Sequence, residues 1–414
     1  MLRRHLHVSS LSPVEPPDAV PNPSQRYTMP HSAPCITTTT DHCLRSARAA
    51  QLKWAALSLS RRLRRVKRLR HQLVRHTSQL LNTIEYPGRT LHSETLAAEL
   101  IPLADACRFL ERAAKQILAP RQASSRLRPL WLSGVTVEQA RDPWGVVLVV
   151  GAANYPLFLT GVQTVQALVA GNAVLVKPGE GASACTTVLQ TAIARAGFDP
   201  QLVQRLPESP DYVASSIRAG VNKVVLTGSV PAGRAISQLA AEAMIPVTLE
   251  LSGCDPVFIL EDAALEQVAQ SIAFGLNFNQ SATCIAPRRV FVPSSCQREF
   301  EVCLRRALER PAPTTHTFSP RAVQLLKSAI SAGARTLDRR PLPEMLAAGR
   351  PVVLTHVPPR EELAQADLFE PVLSVIVVDS ADEALRLNAA CPFGVGATVF
   401  GSPKSAHAFA RRID

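Results

Sequence analysis

Apolar residues along the chain follow two rhythms. From Ala49 to Leu118 they recur at helical spacing, with a break at Tyr86-Pro87-Gly88 that reads as a turn. After Arg141 short β-branched runs alternate with helical stretches. The runs are Val146–Val150, Ala173–Val176, Lys223–Leu226, Val247–Leu251 and Pro256–Leu260; the helices between them are Leu157–Ala170, Ser183–Ala196 and Ala232–Ala243. From Leu265 a second set follows, with helices to Leu276, at Gln297–Leu308 and at Pro320–Ala332, and runs at Arg289–Val292, Val352–Thr355, Val372–Val378 and Thr398–Phe400. Such alternation predicts parallel sheets wound by crossover helices, an α/β fold.

The first 45 or so residues break both rhythms. Seven prolines precede Cys35, large aliphatic residues are few, and a disordered tail is expected, because burial cannot offset the entropy of ordering. The chain's 414 residues carry a net charge of +12, but residues 1–76 account for nearly all of it. Most of that excess lies in the run Arg61 to Arg70, where leucines and Val66 fall on one helical face and arginines on the other. The reading is a solvated helix face packed by its leucines; no aromatic residues interleave with the arginines, so nucleic acid is not expected as a partner. The nine cysteines form no CxxC pair and the histidines no ligand-spaced cluster, which points to a reducing, cytoplasmic setting without a disulfide framework or a metal. The longest apolar run, Gly145 to Ala153, is too short for a bilayer helix.

Three segments carry candidate chemistry. Cys284 lies in a loop, in Phe278-Asn279-Gln280-Ser281-Ala282-Thr283-Cys284, with Pro287 beyond it; it is an accessible nucleophile or inert packing. Glu250 closes the run Val247–Leu251, where a buried strand would raise its pKa toward that of a general base, unless it simply reaches water. Asn154 follows the strand that stops at Gly151, at the sheet end where α/β folds place ligands, and its amide could support a developing oxyanion or merely form a turn before Pro156. Two further stretches read as nucleotide contacts. Lys177 and Glu180, just past a strand, suit an adenosine ribose, and Glu180 would repel a 2′-phosphate, favouring NAD over NADP. Gly228, Ser229 and Gly233 lie in a strand, turn and helix start whose amides could meet a pyrophosphate.

In order and spacing, from about Trp54 to the last residue, these segments resemble the NAD(P)-dependent aldehyde dehydrogenase superfamily. The resemblance implies a Rossmann-type parallel sheet domain plus a second α/β catalytic domain. It divides the chain into the tail at 1–45, N-terminal helices with the NAD-binding domain at 46–253, and the catalytic domain at 254–414. It also implies Cys284 as nucleophile, Glu250 as the base that activates water, Asn154 as the oxyanion amide, and Lys177, Glu180, Gly228, Ser229, Gly233, Asp367 and Phe369 as cofactor contacts. The reaction so implied is oxidation of an aldehyde to a carboxylic acid with NAD, through a thiohemiacetal and a thioester on Cys284. The resemblance leaves a homo-oligomer open.

Departures from the family pattern are also legible. The family's Glu-Leu-Gly-Gly-Lys reads Glu250-Leu251-Ser252-Gly253-Cys254, the Gly-Gln pair before the nucleophile reads Ser281-Ala282, Asp367 replaces a glutamate, and Glu370 replaces a glycine. A charged Glu370 is expected to disturb cofactor placement. The chain stops within a helix at Ala406–Asp414, where relatives continue, so the expectation is a truncated member with uncovered apolar surface. The alternative is a degenerate relative that binds nucleotide or a partner without turnover.

Overall fold

A computed structural model describes residues 34–84, 89, 91–122, 129, 131, 135–309 and 315–413. Tyr86-Pro87-Gly88 lies outside the described residues. The described residues form two mainly parallel sheets and a two-stranded antiparallel ribbon, Arg121–Gln122 with Glu138–Gln139, and no helix among them is long and apolar enough to cross a membrane.

The first sheet holds β1 (Val146–Val150), β2 (Ala173–Lys177), β3 (Val203–Arg205), β4 (Lys223–Gly228) and β5 (Val247–Leu251) in the order β3-β2-β1-β4-β5, all parallel. All five residues of β1 are buried, as a central strand covered on both faces requires. The chain moves outward from β1 through β2 to β3, then returns to the other side of β1 at β4. That reversal opens a crevice beyond the carboxyl ends of β1 and β4, where open α/β sheets take ligands. Asn154 and Ser229 follow these two strand ends.

The second sheet holds β6 (Asp255–Ile259), β7 (Pro287–Pro293), β8 (Arg335–Thr336), β9 (Val352–Thr355), β10 (Val372–Val378) and β11 (Thr398–Phe400), ordered β8-β9-β10-β7-β6-β11 with only β8 antiparallel. Three residues, Ser252 to Cys254, join the two sheets. Central β7 receives Cys284 just ahead of its amino end, and Asp255 pairs with Pro287.

A helical layer covers the first sheet. Helix Leu59–Arg75 buries Leu63, Val66, Leu69 and Leu73, the face the sequence pattern gives, and keeps most of its arginines outward. Helix Pro34–Ala55 begins within the stretch 1–45 expected to be disordered, and it buries Thr40 and Leu44. Trp54 explains why this helix forms against the sheet layer, since its Nε1–H donates to the Leu168 carbonyl at 2.7 Å while its ring packs on Phe198.

Candidate active site

Two loops from different sheets meet. The Asn154 amide donates to the Ala282 carbonyl at 2.9 Å, and the Tyr155 hydroxyl pairs with Thr283 Oγ1 at 2.6 Å, so the segment after β1 is fastened to the two residues before Cys284. An amide has two N–H donors, so one remains beyond the bond to Ala282. The backbone N–H groups of Cys284 and Ile285 also point at that sulfur.

The nucleophile loop is held in an uncommon shape. Asn279, Gln280 and Ser281 all have positive φ, at 51°, 49° and 63°, a region that costs non-glycine residues about 1–3 kcal/mol each. Buried partners over-determine it. The Asn279 N–H donates to Glu94 Oε1 at 2.5 Å, and Asn279 Nδ2 donates to Ala282 O at 3.1 Å. The buried Arg288 guanidinium donates to Ser281 Oγ, Ser281 O, Thr283 O and Glu370 O at 2.6–3.3 Å. Arg288 also lies 5.8 Å from the centre of the Phe369 ring, another residue with positive φ (51°), and so ties the nucleophile loop to the 367–370 segment.

A second buried cation joins the helical layer to this site. Arg89 donates to Glu99 Oε1 at 2.5 Å, to Asn279 Oδ1 at 3.1 Å and to the Asn154 carbonyl at 2.8 Å. Glu99 also accepts from the N–H groups of Leu157 and Phe158 at the start of helix Phe158–Val169. Glu99 lies in a π-helical turn, Leu96–Leu100, and such turns re-aim side chains at functional sites. Burial pushes the Glu99 carboxyl up, and Arg89 with the two backbone donors pulls it back.

Carboxyl groups surround the thiol. Burial pushes Cys284 up, and the negative charges of Asp255 and Asp367 add to that. Asp255, buried with one oxygen accepting from the Gly396 N–H at 3.2 Å, is pushed up to about 6, chiefly by burial. Asp367 is likewise raised by burial although Ser252 donates to it, and its Oδ1 is buried without a partner.

Glu250 departs from expectation. β5 is an edge strand, and Glu250 is exposed opposite Thr227 rather than desolvated in a buried strand. The strand is β-branched and apolar enough to look central in sequence, yet one side of it has no neighbour in the sheet among the described residues. Glu370 also differs from expectation: its carboxylate accepts from Ser319 N–H and Oγ–H and pairs with His316, so only its carbonyl faces Arg288.

The crevice of the first sheet fits a dinucleotide. Helix Val230–Glu242 starts there with exposed Ser229 as its cap and Pro231 in its first turn; Gly228 precedes it, and Gly233 is buried where the helix crosses Leu251. Lys177 ends β2 half-buried; burial pulls its pKa down while Glu208 and Glu180 oppose this. Glu180 is exposed. A Cβ on Gly179 would stand 2.4 Å from the Ala152 carbonyl group, so only glycine lets these strand-end loops touch. The orphaned Asp367 Oδ1 is the acceptor that a sugar hydroxyl would satisfy.

The sequence profile of the aldehyde dehydrogenase family matches residues 15–414. The chain belongs to the aldehyde dehydrogenase family. The 4,4'-diapolycopene aldehyde oxidase of Methylomonas sp is 29% identical over 368 residues, 86% of this chain and 69% of that protein. The dimeric NADP-preferring aldehyde dehydrogenase of Mus musculus is 31% identical over 257 residues, 59% of this chain and 55% of that protein. An indole-3-acetaldehyde dehydrogenase solved with NAD+ shares the fold, with a TM-score of 0.80 at 24% identity over 91% of this chain and 79% of that one. Sequence reading missed Arg89, Glu99, Asp255 and Arg288, which are buried around this candidate site. Each is a charged residue whose partners lie on other segments, and only a buried position marks it.

Proposed function

We propose that the protein oxidises an aldehyde to a carboxylic acid with NAD or NADP, with Cys284 as nucleophile. The observation that carries this reading is the Asn154 amide bonded to the Ala282 carbonyl, which sets an amide donor beside the thiol loop. Cys284 adds to the aldehyde carbon. The second Asn154 N–H and the Cys284 backbone N–H hold the oxyanion, a contribution of about 3 kcal/mol when such a donor is preorganised. The dinucleotide would be held by Lys177, Glu180, Gly228, Ser229, Asp367 and Phe369, with Gly233 letting the helix pack closely, and its nicotinamide supplies a hydride acceptor. Glu250 activates the water that hydrolyses the thioester; from an exposed edge position it must swing toward Cys284 to do so. NAD is the favoured cofactor because Glu180 would repel a 2′-phosphate, although relatives of both preferences exist.

A second reading is a nucleotide-binding relative without turnover, favoured by the exposure of Glu250 and by the raised Cys284 thiol. One experiment separates the two. The full chain is given NAD or NADP with a panel that includes a long polyene aldehyde and indole-3-acetaldehyde, and absorbance of reduced cofactor is followed. Signal lost in Cys284→Ala supports turnover; cofactor binding with no signal from any aldehyde supports the second reading. Free cysteines fit a reducing compartment, so a cytoplasmic setting is part of this proposal.

A further inference from the structure

Cys254 and Cys391 lie 137 positions apart in sequence and share no motif, yet the fold brings them together. Cys254 ends the three-residue connection between the sheets and is 1% exposed. Cys391 follows helix Ala381–Ala389, is partly exposed, and lines an open cavity with Pro256, Asn388, Phe393 and Val395. The two side chains lie within hydrogen-bonding reach of each other. The Cys254 thiol also donates to the Ala364 carbonyl at 3.8 Å.

The surrounding backbone holds these two segments in register. Arg289, itself buried, donates from Nε to the Cys254 carbonyl at 3.1 Å and from Nη2 to Asn388 Oδ1 at 2.9 Å, so one guanidinium spans both. The Cys391 N–H donates to the Asn388 carbonyl at 3.0 Å. Further along, Gly396 donates to Asp255, a Cβ on Gly253 would meet Val395 at 2.8 Å, and β11 pairs with β6 from Val257 onward. The 391–397 loop is therefore laid along the connection that carries Cys254.

We propose that Cys254 and Cys391 form a peroxide-sensitive dithiol whose oxidation to a disulfide staples the connection between the sheets to the 391–397 loop. The two sulfurs divide the work by exposure. Cys391 faces the cavity, and the neighbouring Cys254 thiol, the Phe393 N–H and the Arg289 charge lower its thiol pKa, whereas Cys284 is held up by burial and two carboxylates. The Cys391 thiolate attacks a hydroperoxide oxygen, the O–O bond breaks, and a sulfenic acid forms while the other oxygen leaves as water or alcohol. The Cys254 sulfur then attacks the sulfenic sulfur, an S–S bond forms, and the hydroxyl leaves with the Cys254 proton as water. Two thiols are oxidised by two electrons and one peroxide is reduced; an added dithiol reverses the step.

The test uses the full chain with hydrogen peroxide at pH 7, quenched with N-ethylmaleimide and mapped by mass spectrometry. The expected product joins the peptide of Cys254 to that of Cys391, two hydrogens lighter than the pair, and disappears with dithiothreitol. It forms equally in Cys284→Ser and is absent from Cys391→Ser, in which Cys254 is recovered as a free thiol. Under native conditions without peroxide, maleimide should label Cys391 at least about tenfold faster than Cys284. Recovery of Cys391 as sulfinic acid beside an unmodified Cys254, or labelling of Cys284 first, would overturn the proposal. The peptide map reads the wild-type chain directly and is independent of whether any aldehyde is turned over.

Discussion

Cys284 starts from a disadvantage: burial and the nearby Asp255 and Asp367 charges all favour the protonated thiol, while the N–H groups of Cys284 and Ile285 oppose them. Removing one of those charges lowers the thiol pKa. Asp255→Asn is therefore expected to raise the rate of Cys284 alkylation several-fold at pH 8, read by iodoacetamide labelling and peptide mapping; an unchanged rate would show that the carboxylate does not act on the sulfur. Asn154 supplies the other half of the site. Asn154→Ala removes both the tie to Ala282 and the donor to the oxyanion, so kcat should fall about 100- to 1,000-fold in the reduced-cofactor assay, with KM changing much less. These two residues were legible in sequence because each follows a pattern that stops abruptly, a strand ending in glycine for Asn154 and a polar loop before a strand for Cys284. Asp255 was not legible: nothing in Cys254-Asp255-Pro256 tells that this aspartate is buried against Gly396.

At the scale of elements, the buried Arg89/Glu99 pair links a π-helical turn, the start of helix Phe158–Val169 and the loop ahead of Cys284. Removing one member leaves an uncompensated buried charge. Arg89→Met should destabilise the chain by about 3–5 kcal/mol in urea unfolding, and adding Glu99→Gln should recover part of that loss. If the single and double variants unfold alike, the pair is not the link it looks to be. Long uniform runs such as Val146–Val150 and Val372–Val378 announced their strands. Val203–Arg205 and Arg335–Thr336 did not, because they are short and contain polar or charged residues. The helices Asp211–Arg218, Leu342–Ala348 and Ala381–Ala389 were also missed, since each is too brief for a period of 3.6 residues to stand out. Glu250 shows the converse error: composition identifies a strand but not whether it lies inside a sheet or on its rim.

Across the whole molecule, two sheets meet at a three-residue connection, and several buried carboxyl groups lie near it. Asp255 is raised in the folded chain to about 6, from 3.8, so folding favours its protonated form. Its contribution to stability is present in acid and is lost as pH rises from about 4 through 6; Asp367 and Glu99, also raised by burial, act in the same direction. The melting temperature of wild type should therefore fall more steeply between pH 4.5 and 7 than that of Asp255→Asn, measured by scanning calorimetry. Parallel slopes would remove Asp255 from the account. The sequence carried the alternation that defines both sheets, but not their meeting, because the contacts that join them are made by single polar residues such as Asn154 and Tyr155.

One consequence follows from the three successive left-handed residues ahead of Cys284. Asn279, Gln280 and Ser281 occupy their costly conformations through protein contacts alone, pinned by Glu94, Arg89 and Arg288. The expense of ordering that segment was met during folding. Titration calorimetry of dinucleotide with the protein should accordingly register little entropic penalty from this stretch, and its amide hydrogens should exchange with deuterium as slowly before loading as after.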